Sequence, residues 1–416
     1  MTENDSVDDN WQTADDLLTD LFARAEARED PYPLYARVRD LDPVHVTSTG
    51  RVYLTRYADC AAAIRNPALG AQNQAWMDVV SPDWRTHPSV VQNIESVLFQ
   101  NPPEHTRLRK LVNKSFTARR VTAMRENVSG LVERALDRLA DAASDGGVVD
   151  AYDMLARTLP TAVVGTLIGI PEKDWDMLHD PTSSVMQVVE VGVGPNRLVD
   201  ADRGALQLND YFTDLIEQRR RQPQQDILSD LVATADADPD NGMTDTELLR
   251  MVILLFGAGV DTTVGLLSNG LIAFLDHPEQ ARLLQEDPAL AGRAVDEVLR
   301  YDSPTHVVVR VAAPGAEAGG VPVAPGHTVF SITGAAHHDP AQFQNPEVFD
   351  ITRTGTTVLS FSGGIHFCVG APLARMEAEL FFPALLRRFP TLSLAGPPVR
   401  RGFVVRGYSS LPVTVK

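Results

Sequence analysis

Cysteine, positive charge and an apolar amino-terminal segment are what this sequence has least of. Only two of its 416 residues are cysteine, which excludes a disulfide framework and fits a reducing compartment. The formal net charge of −18 argues against nucleic acids and anionic membranes as partners. Residues 1–20 are acidic and contain no apolar run after a basic start, so we expect neither signal peptide nor membrane anchor, and a cytoplasmic location.

The rest of the composition, 44% hydrophobic and 22% charged, is typical of a soluble globular protein. Acidic residues from 1 to 28 predict a flexible arm, and residues 29–416 read as a single domain. Helical patterns with a few short strand patterns predict a mainly α fold with a small β region (α+β). Residues 69–99 show no clear period, which predicts a long irregular loop of a kind that is usually functional.

A long apolar helix is predicted from Thr244 to Leu275. Thr244 and Glu247 form a capping box at its start, and Asp261 is the only charged residue from Met251 to Leu275. Length and hydropathy alone would allow a membrane span. The acid at mid-span and the lack of aromatic belts favour a helix through the centre of a large soluble core.

The most informative segment is the glycine-rich stretch from Phe361 to Gly370, which contains Cys368. Glycine permits positive φ and close approach of the backbone to a flat ligand. A helix is predicted directly after the stretch, so its positive end would lie near the sulfur and favour the thiolate. A lone cysteine in a glycine turn is more often a packing residue. For Cys368, the residues around it in the sequence are what favour the role of a metal ligand.

This stretch resembles the cysteine loop of the cytochrome P-450 family, the haem-thiolate monooxygenases. The family pattern is matched at Phe361, Gly364, His366, Cys368 and Gly370. The resemblance implies a cytochrome P-450 fold with a long central helix over haem (heme b, iron protoporphyrin IX), and Cys368 as the iron ligand.

One position of the loop departs from the family pattern. Ser362 stands where glycine is usual, and a serine at positive φ would cost on the order of 1 kcal/mol. The departure concerns the local geometry of the loop and leaves the ligand assignment intact.

The middle of the long helix carries a second match to the family, at Ala258, Gly259, Asp261, Thr262 and Thr263. Paired glycines there predict a local bulge in the helix. The resemblance implies that Asp261 and Thr262 deliver protons while O2 is activated, and that Ala258 adjoins the haem. The alternative from the residues alone is a threonine bonded back to its own helix and an acid paired elsewhere.

Four polar donors are predicted to bind the haem propionates. His105 and Arg109 lie four apart, on one face of a helix, and such side chains donate well to carboxylates. By resemblance Arg310, on a predicted strand, and His366 join them. Without the resemblance, His105 and Arg109 would be read as part of a solvated basic helix.

Glu297 and Arg300 match the family's buried structural pair behind the haem. The usual third partner is a basic residue at the place of Val348, so Arg353 or His338 is expected to substitute.

The substrate pocket is predicted to include the irregular loop together with Phe256, Thr305, Val308 and Val404. The expected substrate is an apolar small molecule that is hydroxylated or epoxidised, in secondary metabolism such as antibiotic-type polyketide or peptide biosynthesis. Oxidative coupling, desaturation and a non-catalytic haem sensor remain open alternatives.

No flavin or iron–sulfur motif is fused to the chain, so ferredoxin and ferredoxin reductase are the expected electron donors to a monomeric enzyme. Their docking face is predicted on the cysteine side, at Arg107, Lys110, Lys114 and Arg375.

Overall fold

Helices make up most of the framework. The computed structural model describes residues 13–190, 196–238 and 241–415. The helices within these ranges are α1 Ala14–Ala23, α2 Ala25–Glu29, α3 Tyr32–Leu41, α4 Tyr57–Ala63, α5 Gln74–Val80, α6 Pro88–Ile94, α7 Glu104–Ser115, α8 Ala118–Ala123, α9 Arg125–Ala142, α10 Thr158–Ile168, α11 Trp175–Met186, α12 Asn196–Arg221, α13 Ile227–Asp236, α14 Asp245–Asp276, α15 Pro278–Glu286, α16 Ala291–Tyr301, α17 Thr333–Ala336 and α18 Ala371–Arg388.

The strands are short and gather into small sheets. They are β1 Val44–Val46, β2 Val52–Leu54, β3 Leu69–Gly70, β4 Val149–Asp150, β5 Val307–Ala312, β6 Glu317–Ala318, β7 Val321–Pro322, β8 Thr328–Ile332, β9 Ser393–Leu394, β10 Val399–Arg401, β11 Gly407–Ser410 and β12 Pro412–Thr414. The largest described sheet has the order β1-β2-β8-β5-β3, in which only β2 and β8 are parallel. The predicted α+β class with a dominant helical part is confirmed.

Helix α14 runs through the middle of the main hydrophobic core. Its predicted capping box is present: the Thr244 hydroxyl accepts from the Glu247 amide at 3.2 Å, and the Glu247 carboxylate accepts from the Thr244 amide at 2.9 Å. At 1.5 Å per residue the helix is about 48 Å long. It is the one described helix that is long and apolar enough to cross a membrane, but 72% of its apolar window is buried inside the protein. It is therefore a core helix.

The predicted bulge in α14 is wrong, because the helix is continuous from Asp245 to Asp276. Its glycines serve packing instead. A Cβ on Gly259 would lie 3.0 Å from Val164 of α10, and one on Gly257 would lie 3.3 Å from the Met186 sulfur. These glycines allow neighbouring helices to approach α14 closely without opening its hydrogen-bond ladder.

The predicted flexible arm is wrong where the structure describes it, from residue 13 onward; residues 1–12 lie outside the described residues. Thr13 caps α1 with a capping box, and Leu17 and Leu21 are fully buried. The ring of Phe22 meets Phe403 edge-on, with centroids 5.5 Å apart. The acidic residues lie on the outer face of an amphipathic helix. The number of acidic residues alone does not reveal that they share one face.

The stretch from 69 to 99 is not a structureless loop, because it contains α5 and α6. Asn73 caps α5 by accepting from the Trp76 amide, and Pro88 opens α6. The first turn of α6 is hydrogen-bonded to α12, because Asp202 accepts from the Ser89 hydroxyl at 2.6 Å. Both helices have seven residues, too few to show a helical period in the sequence.

The burial of α1 makes a testable prediction. Leu17→Ala should lower the free energy of unfolding by about 2–4 kcal/mol, because it opens a cavity in a fully buried contact. Urea titration followed by circular dichroism measures the change. Asp20→Ala, on the same helix but on its partly exposed side, is the control. Equal stability of Leu17→Ala and the wild type would restore the interpretation of the segment as a loose arm.

Candidate haem site

The cysteine loop has the backbone conformation that its glycines predict. Ser362 and Gly364 have φ values of 58° and 61°, and the Cys368 amide donates to the Phe361 carbonyl at 3.0 Å. Helix α18 starts at Ala371, immediately after the loop. The serine at positive φ is thus accommodated, and its buried hydroxyl has no hydrogen-bond partner within the described chain.

The Cys368 sulfur is a candidate metal ligand in a low-dielectric setting. The pKa of the Cys368 thiol is raised, because burial disfavours the thiolate. The Gly370 amide, the Arg109 guanidinium and the Ala371 amide offset only part of that rise. A bound metal cation removes a thiol proton outright, so these donors then stabilise the anion.

The four predicted propionate donors lie in one cluster beside this loop. The His105 and His366 rings are 4.4 Å apart, and Arg109 donates to the Phe367 carbonyl at 2.6 Å. Burial, followed by the charges of Arg310, His105 and Arg109, lowers the pKa of His366 to about 3. Burial alone lowers the pKa of Arg310 to about 10.

This cationic cluster lacks the anions that normally accompany buried charge. Arg310 is 7% exposed, yet neither it nor Arg109 forms an ion pair with a carboxylate of the described residues. The buried Nδ1 of His105 and Nε2 of His366 likewise have no hydrogen-bond partner there. Uncompensated buried charge is costly, so the cluster fits a ligand that carries two carboxylates. Haem has two propionates and an iron for Cys368, and the residues therefore fit this cofactor.

One face of α14 is distinguishable by its exposure. Ala258 and Thr262 are partly exposed on a helix that is otherwise largely buried. Leu254 and Leu255, one turn earlier, share that exposure and were missed in the sequence, where they look like ordinary core leucines. Phe256, predicted in the pocket, is fully buried against Phe212 of α12. It belongs to the core because it lies on another side of the helix.

Asp261 and Thr262 both have protein partners. The Thr262 hydroxyl donates to the Ala258 carbonyl at 2.7 Å, and the Asp261 carboxylate pairs with Arg401 of β10 at 2.8 Å. This is the arrangement of the structural alternative, a back-bonded threonine and an acid paired elsewhere. The hydroxyl that donates to its own helix still has lone pairs available to accept a hydrogen bond.

The structural pair has the third partner that the sequence left open. Glu297 and Arg300 are almost fully buried with an oxygen–nitrogen distance of 2.7 Å, and Arg353 reaches Glu297 at 3.2 Å. The Val348 carbonyl accepts from Arg300, while His338 contacts the Tyr301 carbonyl. Arg353 is therefore the substitute for the missing basic side chain, and His338 is not.

Three of the predicted pocket residues lie near each other. Thr305 forms a β-bridge with Val405, and the Val404 carbonyl accepts from the His306 amide at 3.1 Å. Val308 follows on β5. Thr305, Val308 and Val404 are all partly exposed, as side chains lining a pocket are.

A cysteine loop beside a cluster of donors suited to two carboxylates is the arrangement that would hold the cofactor of a haem-thiolate protein. Comparison with known proteins agrees. The family model described as Cytochrome P-450 matches residues 200–399. The biotin biosynthesis cytochrome P-450 of Bacillus subtilis (strain 168) is 35% identical over 397 residues, covering 94% of this chain and 98% of that protein.

Two further comparisons extend the likeness over the whole length. The 6-deoxyerythronolide B hydroxylase of Saccharopolyspora erythraea is 36% identical over 413 residues, covering 96% of this chain and 98% of the relative. The crystal structure of P450BioI in complex with hexadec-9Z-enoic acid ligated acyl carrier protein aligns with a TM-score of 0.86 at 34% identity, covering 94% and 100% of the two chains. The chain belongs to the cytochrome P-450 family, in its soluble bacterial type, and is a monooxygenase.

The strained serine generates a prediction about stability. Ser362→Gly should raise the free energy of unfolding by about 1 kcal/mol, because it relieves positive φ and removes a buried hydroxyl without a partner. Chemical denaturation of the purified protein measures it. Asn345→Gly, at the other described non-glycine residue with positive φ (48°), is the matched comparison for backbone strain alone. A loss of stability in Ser362→Gly would show that the hydroxyl has a role.

Proposed function

We propose that this monooxygenase binds haem b through Cys368 and inserts one oxygen atom from O2 into an apolar small molecule, by hydroxylation or epoxidation. The observation that carries the proposal is the buried cationic cluster, which has no carboxylate partner among the residues that the structure describes, beside the only cysteine in a glycine-rich loop. The donors for the propionates are His105, Arg109, Arg310 and His366.

The loop around the sulfur is shaped by Phe361, Gly364 and Gly370. On α14, Ala258 is proposed to lie on the face toward the cofactor. When bound, the haem supplies the oxygen chemistry.

Proton delivery is assigned to Asp261 and Thr262. Thr262 keeps its hydroxyl hydrogen on the Ala258 carbonyl, so its lone pairs can hold a donor at the exposed face of α14. Asp261, the preceding residue, is 4% exposed and pairs with Arg401, so its carboxylate lies in a region shielded from bulk water.

The proposed substrate is a bulky product of secondary metabolism, of the polyketide or peptide type. Two observations support an apolar substrate: the leucines that extend the exposed stripe of α14, and the aliphatic side chains of Val308 and Val404. The likeness to 6-deoxyerythronolide B hydroxylase favours a polyketide, whereas the equally close biotin biosynthesis enzyme shows that the family likeness alone does not select one.

Bacterial members of the family take electrons from redox partners. We propose that this chain is a cytoplasmic monomer and that its electron donors are ferredoxin and ferredoxin reductase. Arg107 and Arg375, predicted on the docking face, are occupied by ion pairs with Glu247 and Asp296. Lys110 and Lys114 are exposed on α7, the helix whose Arg109 contacts the cysteine loop. The proposed docking face is therefore centred on these two lysines.

The ligand assignment is tested by replacing each cysteine. Cys368→Ser should abolish the thiolate signature in the spectrum of the reduced, carbon-monoxide-treated protein, because serine does not supply the sulfur ligand. Cys60→Ser is the matched control, since Cys60 is fully buried and hydrogen-bonded to the Leu54 carbonyl away from the loop. Retention of the wild-type spectrum in Cys368→Ser would sink the proposal.

The proton assignment is tested with two neighbouring threonines. Thr262→Ala should lower product formed per O2 consumed by about tenfold or more and release hydrogen peroxide instead, because the hydroxyl that accepts from, and so positions, a proton donor at the site is lost. Thr263→Ala removes the same kind of back-bonded hydroxyl from a buried side of α14 and should leave coupling intact. Oxygen electrode and peroxide assays measure both. Equal uncoupling in the two variants would refute a special role for Thr262.

A further inference from the structure

A single carboxylate holds the loop that follows β10. The Glu190 side chain accepts hydrogen bonds from three consecutive backbone amides: Phe403 at 2.8 Å, Val404 at 3.0 Å and Val405 at 2.7 Å. Hydrogen bonds to an ionised acceptor are shorter and stronger than neutral ones. Three on one side chain make Glu190 the dominant polar contact of this loop.

The shape of the loop depends on this arrangement. Gly402 has φ +65°, and a Cβ there would lie 2.0 Å from the Val405 carbonyl and 3.0 Å from a Glu190 oxygen. The turn at Gly402 is what points three successive amides toward one spot, whereas an extended strand directs successive amides to alternate sides. Glycine and carboxylate therefore fit each other as parts of one anion-binding turn.

The loop carries Val404, which is one of the residues proposed for the pocket. Phe403 and Val405 are buried, while Val404 between them is partly exposed. Val405 is bridged to Thr305, another predicted pocket residue. Fixing the three amides thus fixes the direction in which the Val404 side chain projects.

Glu190 also connects this wall to a different part of the fold. It follows the 3-10 turn Gln187–Val189 at the end of α11, and its own carbonyl accepts from Arg197 of α12 at 3.3 Å. On the other side of the loop, β10 carries Arg401, which pairs with Asp261. Among the described residues, Glu190 thus joins the α11–α12 region to this hairpin.

We propose that Glu190 is a positioning residue for the substrate pocket: it fastens the Phe403–Val405 loop to the end of α11, sets the position of Val404, and so controls how long an apolar ligand is retained. It does not touch the reacting atoms. The retention effect rests on the proposed function, whereas the fastening of the loop is a property of the chain itself.

Amide hydrogen exchange tests the fastening directly. In the haem-loaded protein, Glu190→Gln should raise the exchange rate of the segment containing residues 403–405 by about tenfold, because the charged acceptor of three amides is lost. Glu217→Gln is the matched control, since Glu217 is exposed on α12 and pairs with Arg221 one turn away. Unchanged exchange in Glu190→Gln would overturn the proposal.

Ligand kinetics test the retention. With phenylimidazole, an apolar azole, as the probe, stopped-flow absorbance at the Soret band should give a dissociation rate about tenfold faster in Glu190→Gln than in the wild type or Glu217→Gln. Gly402→Ala should show the same acceleration with Glu190 intact, because it distorts the turn from the other side. Wild-type dissociation rates in both loop variants would refute the role in retention.

The two measurements separate this proposal from the assignment of the cofactor. If the protein bound no haem, the azole signal would vanish for every variant, while the difference in amide exchange between Glu190→Gln and Glu217→Gln would still be measurable in the haem-free chain. Faster exchange with unchanged azole kinetics would keep the fastening and overturn its effect on ligands.

Discussion

The haem-binding half of the structure depends on one constraint: buried positive charge that meets no carboxylate counterion within the described ranges of the chain. Arg310 and the imidazoles of His105 and His366 lie close together in a region of low dielectric, where desolvation disfavours the charged form of all three and the neighbouring arginines further disfavour those of the two histidines. A dianionic cofactor relieves both costs at once. Binding that favours the folded state alone adds to stability, so a bound cofactor would help to stabilise this half of the structure.

Local signals in the sequence predicted local structure well. The capping box of α14 and the positive φ of Ser362 each depend on residues within a few positions, and both are present. Signals failed where distant segments supply the partner. The ion pair of Asp261 with Arg401 spans 140 residues, and the contact of Glu190 with the 403–405 loop spans more than 200. No periodicity records such contacts, because they are set by how helices and hairpins pack.

The family pattern and the structure agree on the contacts around Glu297, but they differ in the sequence position that supplies one partner. Arg353 reaches Glu297 from a position five residues beyond Val348, so the geometry of the triad is kept although its usual position is not. Phe256 shows the opposite case: an aromatic residue one position from an exposed face of α14 is buried, since one step along a helix turns a side chain by about 100°.

The contact between Phe22 and Phe403 has a practical consequence for anyone who expresses this enzyme. Phe403 is fully buried and precedes Val404, which is proposed to line the pocket, and the ring of Phe403 packs against the first described helix of the chain. Shortening the amino terminus past Ala23, or fusing a bulky tag there, removes or displaces that support. Substrate profiles of trimmed and full-length preparations are therefore not interchangeable.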